Sequence, residues 1–200
     1  MNTNLAHNQQ TEPFFEAELV DFPSEYFSNL LGNSYPLHPH EKARLACLKK
    51  TELLDSPPEA IFNDLVWLAA KICNCPMAAI SLVAEDRQWF KARIGLRIGE
   101  TAREHAFCNH CVATEKAMEV NDARKDDRFL DNPLVTEDPK IRFYAGAPIG
   151  VPDHPPLGTL CVMAKSPREL SRHQRRALRV LAKQASKLLE LAMAKLRLAD

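Results

Sequence analysis

The chain is defined first by what it lacks. No apolar run approaches the roughly 18 residues that a bilayer-spanning helix requires, and residues 1–16 have neither the basic start nor the apolar stretch of an export signal. The expectation is a cytoplasmic protein with no membrane contact. Lys and Arg are missing altogether from residues 1–41, a stretch that carries Glu12, Glu16, Glu18, Asp21, Glu25 and Glu41. The zero net charge hides this asymmetry. The rest of the chain sets 26 basic groups against 20 acidic ones, an excess too mild and scattered to argue for nucleic acid. Neither GxGxxG nor phosphate-loop spacing occurs, and there is no internal repeat or low-complexity tract. The six cysteines lack the loop-rich spacing of a secreted disulfide scaffold, so reduced thiols are expected.

What is present suits one domain preceded by an extra segment, because 200 residues with 46% hydrophobic content can bury a real core but not two. Residues 1–39 read as an acidic extension, too rich in Phe, Tyr and Leu to be a pure tail, and partly ordered or docking. The domain occupies residues 40–200. Helical periodicity runs over residues 40–54 and 57–73, with Ile61, Leu65, Leu68 and Ile72 on one face. Ser56, Pro57 and Glu59 resemble a start signal for the second helix.

The period then changes to that of strands, over residues 77–83, 87–94, 118–121, 141–151 and 157–163, with short polar or proline-rich turns between neighbours. Hairpin links predict an antiparallel sheet and an α+β class. A long last helix follows a capping box at Ser171 and Gln174, and its seam of Leu178, Leu181, Ala185, Leu188, Ala192, Leu196 and Ala199 predicts a homodimer. Arg175, Arg179, Lys183 and Lys187 form a row of like charges on that helix, either a solvated face screened by salt or one on or near which the acidic extension docks.

Several ordered blocks carry a resemblance: Arg44-Leu45, Leu53-Leu54-Asp55, the stretch from Glu85 to Lys91, Phe107-Cys108-Asn109-His110, Asp127-Arg128-Phe129, Asn132-Pro133-Leu134-Val135, the stretch from Arg142 to Pro148, and Gly158-Thr159-Leu160-Cys161. From Glu41 to Glu190 the sequence resembles the GAF sensor domains of bacterial histidine kinases and diguanylate cyclases. The resemblance implies a central antiparallel sheet of about six strands, terminal helices on one face, and a ligand pocket under short helices on the other. Cys111 is a departure, since a small residue is usual there.

The candidate ligand-binding residues are Cys108, His110, Cys111, Asp122, Arg128, Phe129, Arg142 and Tyr144. Two thiols and two imidazoles fall between His105 and Cys111, and on a helix Cys108 and Cys111 share a face. That pattern suits either a buried thiol beside a hydrogen-bonded histidine or a redox pair, Cys108 resolved by Cys111; a zinc site would need more ligands than one short helix brings together. Arg142 and Tyr144 alternate with Phe143, so both are expected on the pocket face, or else Arg142 and Arg128 pair internally with Asp122 and Asp127. Trp89 and Lys91 share a face of their strand, where the lysine is expected in solvent.

The function expected is a stand-alone sensory module that binds an unidentified small molecule or senses redox state and signals through a partner protein or a dimer. No residue singles out a cofactor, leaving cyclic nucleotides, bilins and haem open. The alternatives are a thiol-based methionine sulfoxide reductase and an interaction module whose pocket is filled by its own side chains, with Phe129 and Tyr144 as the occupants.

Overall fold

A computed structural model describes residues 35–199, with the backbone alone at 197 and 199. The proposed docking of the acidic segment falls mostly on residues 1–34 and lies outside the described residues. In chain order the elements are α1 (Glu41–Lys50), α2 (Ala60–Cys73), β1 (Met77–Val83), β2 (Arg87–Ile94), β3 (Glu100–Ala102), α3 (Phe107–Thr114), β4 (Met118–Val120), α4 (Pro133–Thr136), β5 (Phe143–Ile149), β6 (Gly158–Ala164) and α5 (Arg172–Ala199). Single 3₁₀ turns precede α3, at Arg103–His105, and follow β4, at Ala123–Lys125.

The six strands form one antiparallel sheet in the order β3-β2-β1-β6-β5-β4, the α+β architecture that the sequence predicts. β3, whose three residues are Glu, Thr and Ala, is the strand that the apolar pattern misses. β1, β5 and β6 lie inside the sheet and are covered on both faces, which is why β1 reads as an unbroken apolar run rather than an alternating one. On one face Ala78, Ile80, Leu82, Leu160 and Val162 meet Phe62, Val66, Leu178, Ala185 and Leu189 from α2 and α5. The other face carries Met77, Ala79, Val83, Tyr144, Cys161 and Met163 against α3 and the loops after β4.

The helix expectations need three corrections. α2 begins at Ala60, and Ser56 does not cap it: its hydroxyl donates to the Leu53 carbonyl and accepts from Lys91. The face of α2 that packs inward is Phe62, Val66, Ala69, Ala70 and Cys73, while Ile61, Leu68 and Ile72 are exposed. Small residues let the helix approach the sheet closely, and the larger aliphatic stripe is left outside. In α5 the seam Leu178, Leu181 and Ala185 is buried within the chain, so the apolar residues left exposed on it are Val180, Leu191 and Leu198. The capping box at its start is present, with the Ser171 amide donating to Gln174 Oε1 at 2.9 Å and the Gln174 amide to Ser171 Oγ at 3.3 Å. In its basic row Arg175 pairs with Glu119 at 2.8 Å and Lys187 with Glu190 at 2.8 Å.

Lys91 overturns the expectation of a solvated side chain. The ladder between β1 and β2 slips between Ile80 and Ser81, where Ala92 and Phe90 are the successive partners and Lys91 is the extra residue. The bulge re-aims its side chain inward. There Nζ donates to Ser56 Oγ at 2.6 Å and the Pro57 carbonyl at 2.8 Å, and pairs with Glu59 at 2.7 Å. A buried ammonium is tolerable because each of these groups accepts a hydrogen from it.

Candidate functional site

The site is built from α3 laid over β5 and β6. Phe107 and Cys108 open the helix, and Cys111 follows one turn later on the same side. Tyr144 projects from β5 and Cys161 from β6 toward them. Phe107 stacks on Phe129 with ring centroids 4.0 Å apart and on Tyr144 at 5.1 Å. All three rings are essentially inaccessible to solvent. Tyr144 lies along its own strand over Gly146, where a Cβ would stand 2.1 Å from the phenolic oxygen, so this ring position requires glycine there.

The polar atoms converge on Cys108. The Tyr144 hydroxyl donates to Cys108 Sγ at 3.3 Å and lies 3.6 Å from Cys111 Sγ, while Cys108 Sγ and Cys161 Sγ are 3.8 Å apart. Ser81 and Thr159, hydrogen-bonded to each other at 3.1 Å, lie on the same sheet face by alternation with Ala79 and Cys161. Burial opposes ionisation of the Cys108 thiol, but hydrogen bonds from Cys161, Ser81, Thr159 and Tyr144 outweigh it and bring its pKa to about 7. Hydrogen bonding to Cys108, and then burial, push the Cys161 thiol well up. Burial and the neighbouring Cys108 push Cys111 up to about 12, and burial raises the Tyr144 phenol well above its usual range. The cluster therefore contains one ionisable thiol among groups that keep their protons.

A cavity of about 20 Å³, room for about one water molecule, adjoins the cluster. Its lining includes Cys108, Cys161, Tyr144, Gln88, Thr101 and the exposed Ile98. Gln88 is 4% exposed, and although its amide nitrogen donates to Thr101 Oγ1 at 3.4 Å, its Oε1 is buried without a donor.

Of the residues selected from sequence, the fold brings together Cys108, Cys111, Phe129 and Tyr144. His110 sits at the margin, its ring edge-on to Phe129 at 4.9 Å, and burial, aided by the Arg128 charge, lowers its pKa to about 4. Asp122, Arg128 and Arg142 do not line the cavity. Asp122 pairs with Arg124 at 2.8 Å, Arg128 with Asp126 at 2.6 Å, and Arg142 donates to the carbonyls of Val135 at 2.7 Å and Ile141 at 3.1 Å. Arg142 precedes β5 by one residue, with its amide still donating to Ala164 of β6, and its side chain reaches the edge of the pocket side without lining the cavity. Arg142 instead fastens α4, and the expected pairs with Asp122 and Asp127 do not form. Sequence reasoning missed Cys161 and Gln88. Both signals were legible, since Thr159 and Cys161 share one face of β6, and Gln88 and Phe90 one face of β2.

A second polar cluster went unread. Glu41 accepts from Arg44 Nε at 2.9 Å and Nη2 at 2.6 Å and from Arg103 Nη1 at 2.7 Å. Both arginines are buried. Arg44 also donates to the Val83 carbonyl at 2.7 Å, and Arg103 to Asn109 Oδ1 at 2.8 Å and the Ala84 carbonyl at 3.0 Å. Asn109, in α3, donates to the Pro36 carbonyl at 2.7 Å. This network ties the entering chain, α1, the β1–β2 turn and α3 together. Among the described residues no group of three His, Cys, Asp or Glu side chains is placed to hold a metal, and no helix is long and apolar enough to cross a membrane.

A short helix packed over an antiparallel sheet, with two longer helices behind it, defines a small α+β domain with its site between α3 and the sheet. The sequence profile of the GAF domain matches residues 57–189, and the chain belongs to that family. A cyclic di-GMP phosphodiesterase from Pseudomonas aeruginosa is 39% identical over 133 residues, 66% of this chain; the chain spans about a quarter of that enzyme's length, 23%. Among solved structures, the GAF domain of an Acinetobacter phosphoenolpyruvate-protein phosphotransferase superposes with a TM-score of 0.58 at 22% identity, covering 76% of this chain and 95% of that one. A type II free methionine-R-sulfoxide reductase from Thermoplasma acidophilum superposes with a TM-score of 0.54 at 11% identity, over 66% of this chain and 90% of that one. At such identities the two structures speak for the fold alone. GAF domains are in general sensory and regulatory, and that is the class to which this chain is assigned.

Proposed function

We propose that the chain is a regulatory GAF module whose pocket, occupied by its own Phe107, Phe129 and Tyr144, reads a water-sized input and passes it to a signalling partner through the sheet and α5. The carrying observation is the cavity of about 20 Å³, which touches Cys108, Cys161 and Tyr144 at once. A cyclic nucleotide, a bilin or haem needs several hundred Å³, so none enters unless Tyr144 leaves. The exposed Val180, Leu191 and Leu198 of α5 are the side chains on which a second copy would pair.

The phosphodiesterase relative supports cyclic di-GMP signalling as the setting, because its matching segment accompanies that activity in one chain. A methionine sulfoxide reductase draws support from the three pocket thiols, but its substrate side chain also exceeds a one-water cavity. The test exchanges the matching segment of the Pseudomonas enzyme for residues 57–189 of this chain and measures cyclic di-GMP hydrolysis. The expected result is an active chimera whose rate changes at least threefold when Tyr144→Ala opens the pocket. Equal rates for both chimeras, with both segments folded by circular dichroism, overturn the regulatory reading.

A further inference from the structure

The cluster around Cys108 has the parts of a reactive dithiol, and its partner thiol is not the one that sequence spacing suggests. Cys111, one turn along α3, points its sulfur at the Tyr144 hydroxyl and, at 3.9 Å, at the Gly146 carbonyl. Cys161 comes from another layer, β6, and its sulfur is the one in contact with Cys108. Cys108 and Cys161 both line the cavity, as do the exposed Ile98 and Gln88, whose buried Oε1 has no donor. The cavity holds about one water, so a guest of two oxygens enters as the lining side chains give slightly, and it then lies among Gln88, Cys108 and Cys161.

We propose that Cys108 and Cys161 form a peroxide-reactive pair, with Cys108 as the attacking thiolate, Cys161 as the resolving thiol, and the Gln88-lined cavity as the subsite for hydrogen peroxide. This deepens the regulatory reading by naming its input and rests on it only for what the change signals. The Cys108 thiolate attacks one oxygen of hydrogen peroxide, the O–O bond breaks, and the departing hydroxide leaves as water after taking a proton. Cys108 is then a sulfenic acid. The Cys161 sulfur attacks the Cys108 sulfur, the S–O bond breaks, and the hydroxide released takes the Cys161 proton to become the second water. Two thiols and one peroxide give one disulfide and two waters, and a cellular dithiol reverses the change by exchange.

The chemistry fits the surroundings of each sulfur. The Tyr144 hydroxyl donates to Cys108 Sγ, hydrogen bonding among the surrounding polar groups favours its thiolate, and Cys108 lies in the first turn of an eight-residue helix, where a negative charge is favoured. Cys161 is held protonated while that thiolate is present, and loses this restraint once Cys108 is oxidised. Closing 3.8 Å to a disulfide bond of about 2.05 Å brings the two sulfurs roughly 1.8 Å closer, by side-chain rotation together with movement of α3 against β6. Asn109, the next residue, holds Arg103 and the Pro36 carbonyl, so whatever movement α3 makes is felt by the Glu41 network.

The test treats the full chain with hydrogen peroxide, denatures it in excess N-ethylmaleimide and digests it with trypsin. Cys108 and Cys111 then share the peptide 104–116, while Cys161 lies in 143–165. The expected product is a cross-link between these two peptides with Cys111 still alkylated. A loop closed within 104–116, or full alkylation of all three thiols, overturns the proposal. Cys161→Ser is expected to leave Cys108 as a sulfenic acid captured by dimedone, and Cys111→Ser to leave the cross-link unchanged; the wild-type product map stands whether or not either variant folds. The titratable groups facing Cys108 are Tyr144 from β5, Cys161 from β6 and Cys111 from its own helix, and all three stay protonated near neutrality. The oxidation rate is therefore expected to fall about tenfold from pH 8 to pH 6, following the Cys108 thiolate alone. A cross-link that forms while the chimeric phosphodiesterase ignores peroxide would remove the signalling role and leave the chemistry standing.

Discussion

The two faces of the sheet use alternate residues of the same strands and are made of different materials. Ala78, Ile80 and Leu82 of β1, with Leu160 and Val162 of β6, meet a continuous aliphatic layer from α2 and α5, of 14 and 28 residues. Ala79, Ser81, Thr159 and Cys161 of the same two strands meet thiols, rings and hydroxyls under an eight-residue helix and a run of short turns. Apolar contacts hold the first face wherever they fall. On the second, each buried polar atom depends on a particular partner, so the same displacement there breaks hydrogen bonds as well as contacts. Regulation belongs on the face with the shorter elements, because local opening costs least where fewer packed residues move.

The largest test of this contrast is the clamp that joins the faces. α1 contributes Cys47 and Leu48 to the aliphatic core, while Arg103 and Asn109 belong to the pocket side, and Glu41 is the anion between them. Glu41→Ala leaves two buried guanidinium groups without their counter-charge, and Arg103 Nη2 already has no acceptor. Breaking a buried ion pair from one side costs about 3–5 kcal/mol. Urea denaturation is expected to show a loss in that range, with Glu41→Gln less damaging because one oxygen still accepts. A loss below about 1 kcal/mol would mean that the faces stand independently. Burial works against the Glu41 carboxylate, but hydrogen bonds from Arg44 and Arg103 prevail and lower its pKa to about 2. The clamp's contribution is therefore complete above pH 4.5 and is lost as pH falls through 2.

A smaller perturbation addresses the pocket face alone. Gly146→Ala puts a methyl group 2.1 Å from the present Tyr144 oxygen, and the ring must swing off the strand. Overpacking of this kind costs about 1–3 kcal/mol. The more specific readout is thiol reactivity in the folded protein. Cys108 and Cys111 are buried, so alkylation of the wild type is expected to be slow, and displacing Tyr144 is expected to accelerate it at least tenfold. Unchanged labelling would show that the ring is not what closes the site.

Much of the architecture was readable in the residues. β1 falls where the apolar run and β2 where alternation put them, either side of a polar turn, and the α5 capping box forms as written. The failures share a physical cause: a periodic pattern gives the spacing of apolar residues, not the distance to the layer that covers them. α2 buries alanines and a cysteine and exposes isoleucines, because closeness to the sheet matters more than side-chain size. Lys91 is buried by a one-residue bulge that periodicity does not register. In the site, the residues close in sequence, Cys108 and Cys111, were found together, while Cys161 needed the sheet order to bring it to α3. Arg142 keeps to the pocket side of the sheet but is fastened at its edge by the Val135 carbonyl, an acceptor that periodicity does not register.

The pH response separates the faces with the smallest expected effect. His110 stands edge-on to Phe129, and burial followed by the Arg128 charge lowers its pKa from 6.5 to about 4. Below pH 6.5 the unfolded chain accepts a proton at this imidazole that the folded chain refuses. The unfolded state then binds more protons, so this contribution is complete above 6.5 and is lost as pH falls toward 4. Between pH 7 and pH 5 the loss is on the order of 1–2 kcal/mol. Glu41 takes no part in that window, since its contribution is lost only below 4.5. Urea midpoints at pH 6 and pH 5, below the range in which Cys108 titrates, are thus expected to differ in the wild type and to converge in His110→Gln, whose amide carries no titratable proton. A slope that survives the substitution would place the acid-sensitive group elsewhere in the fold.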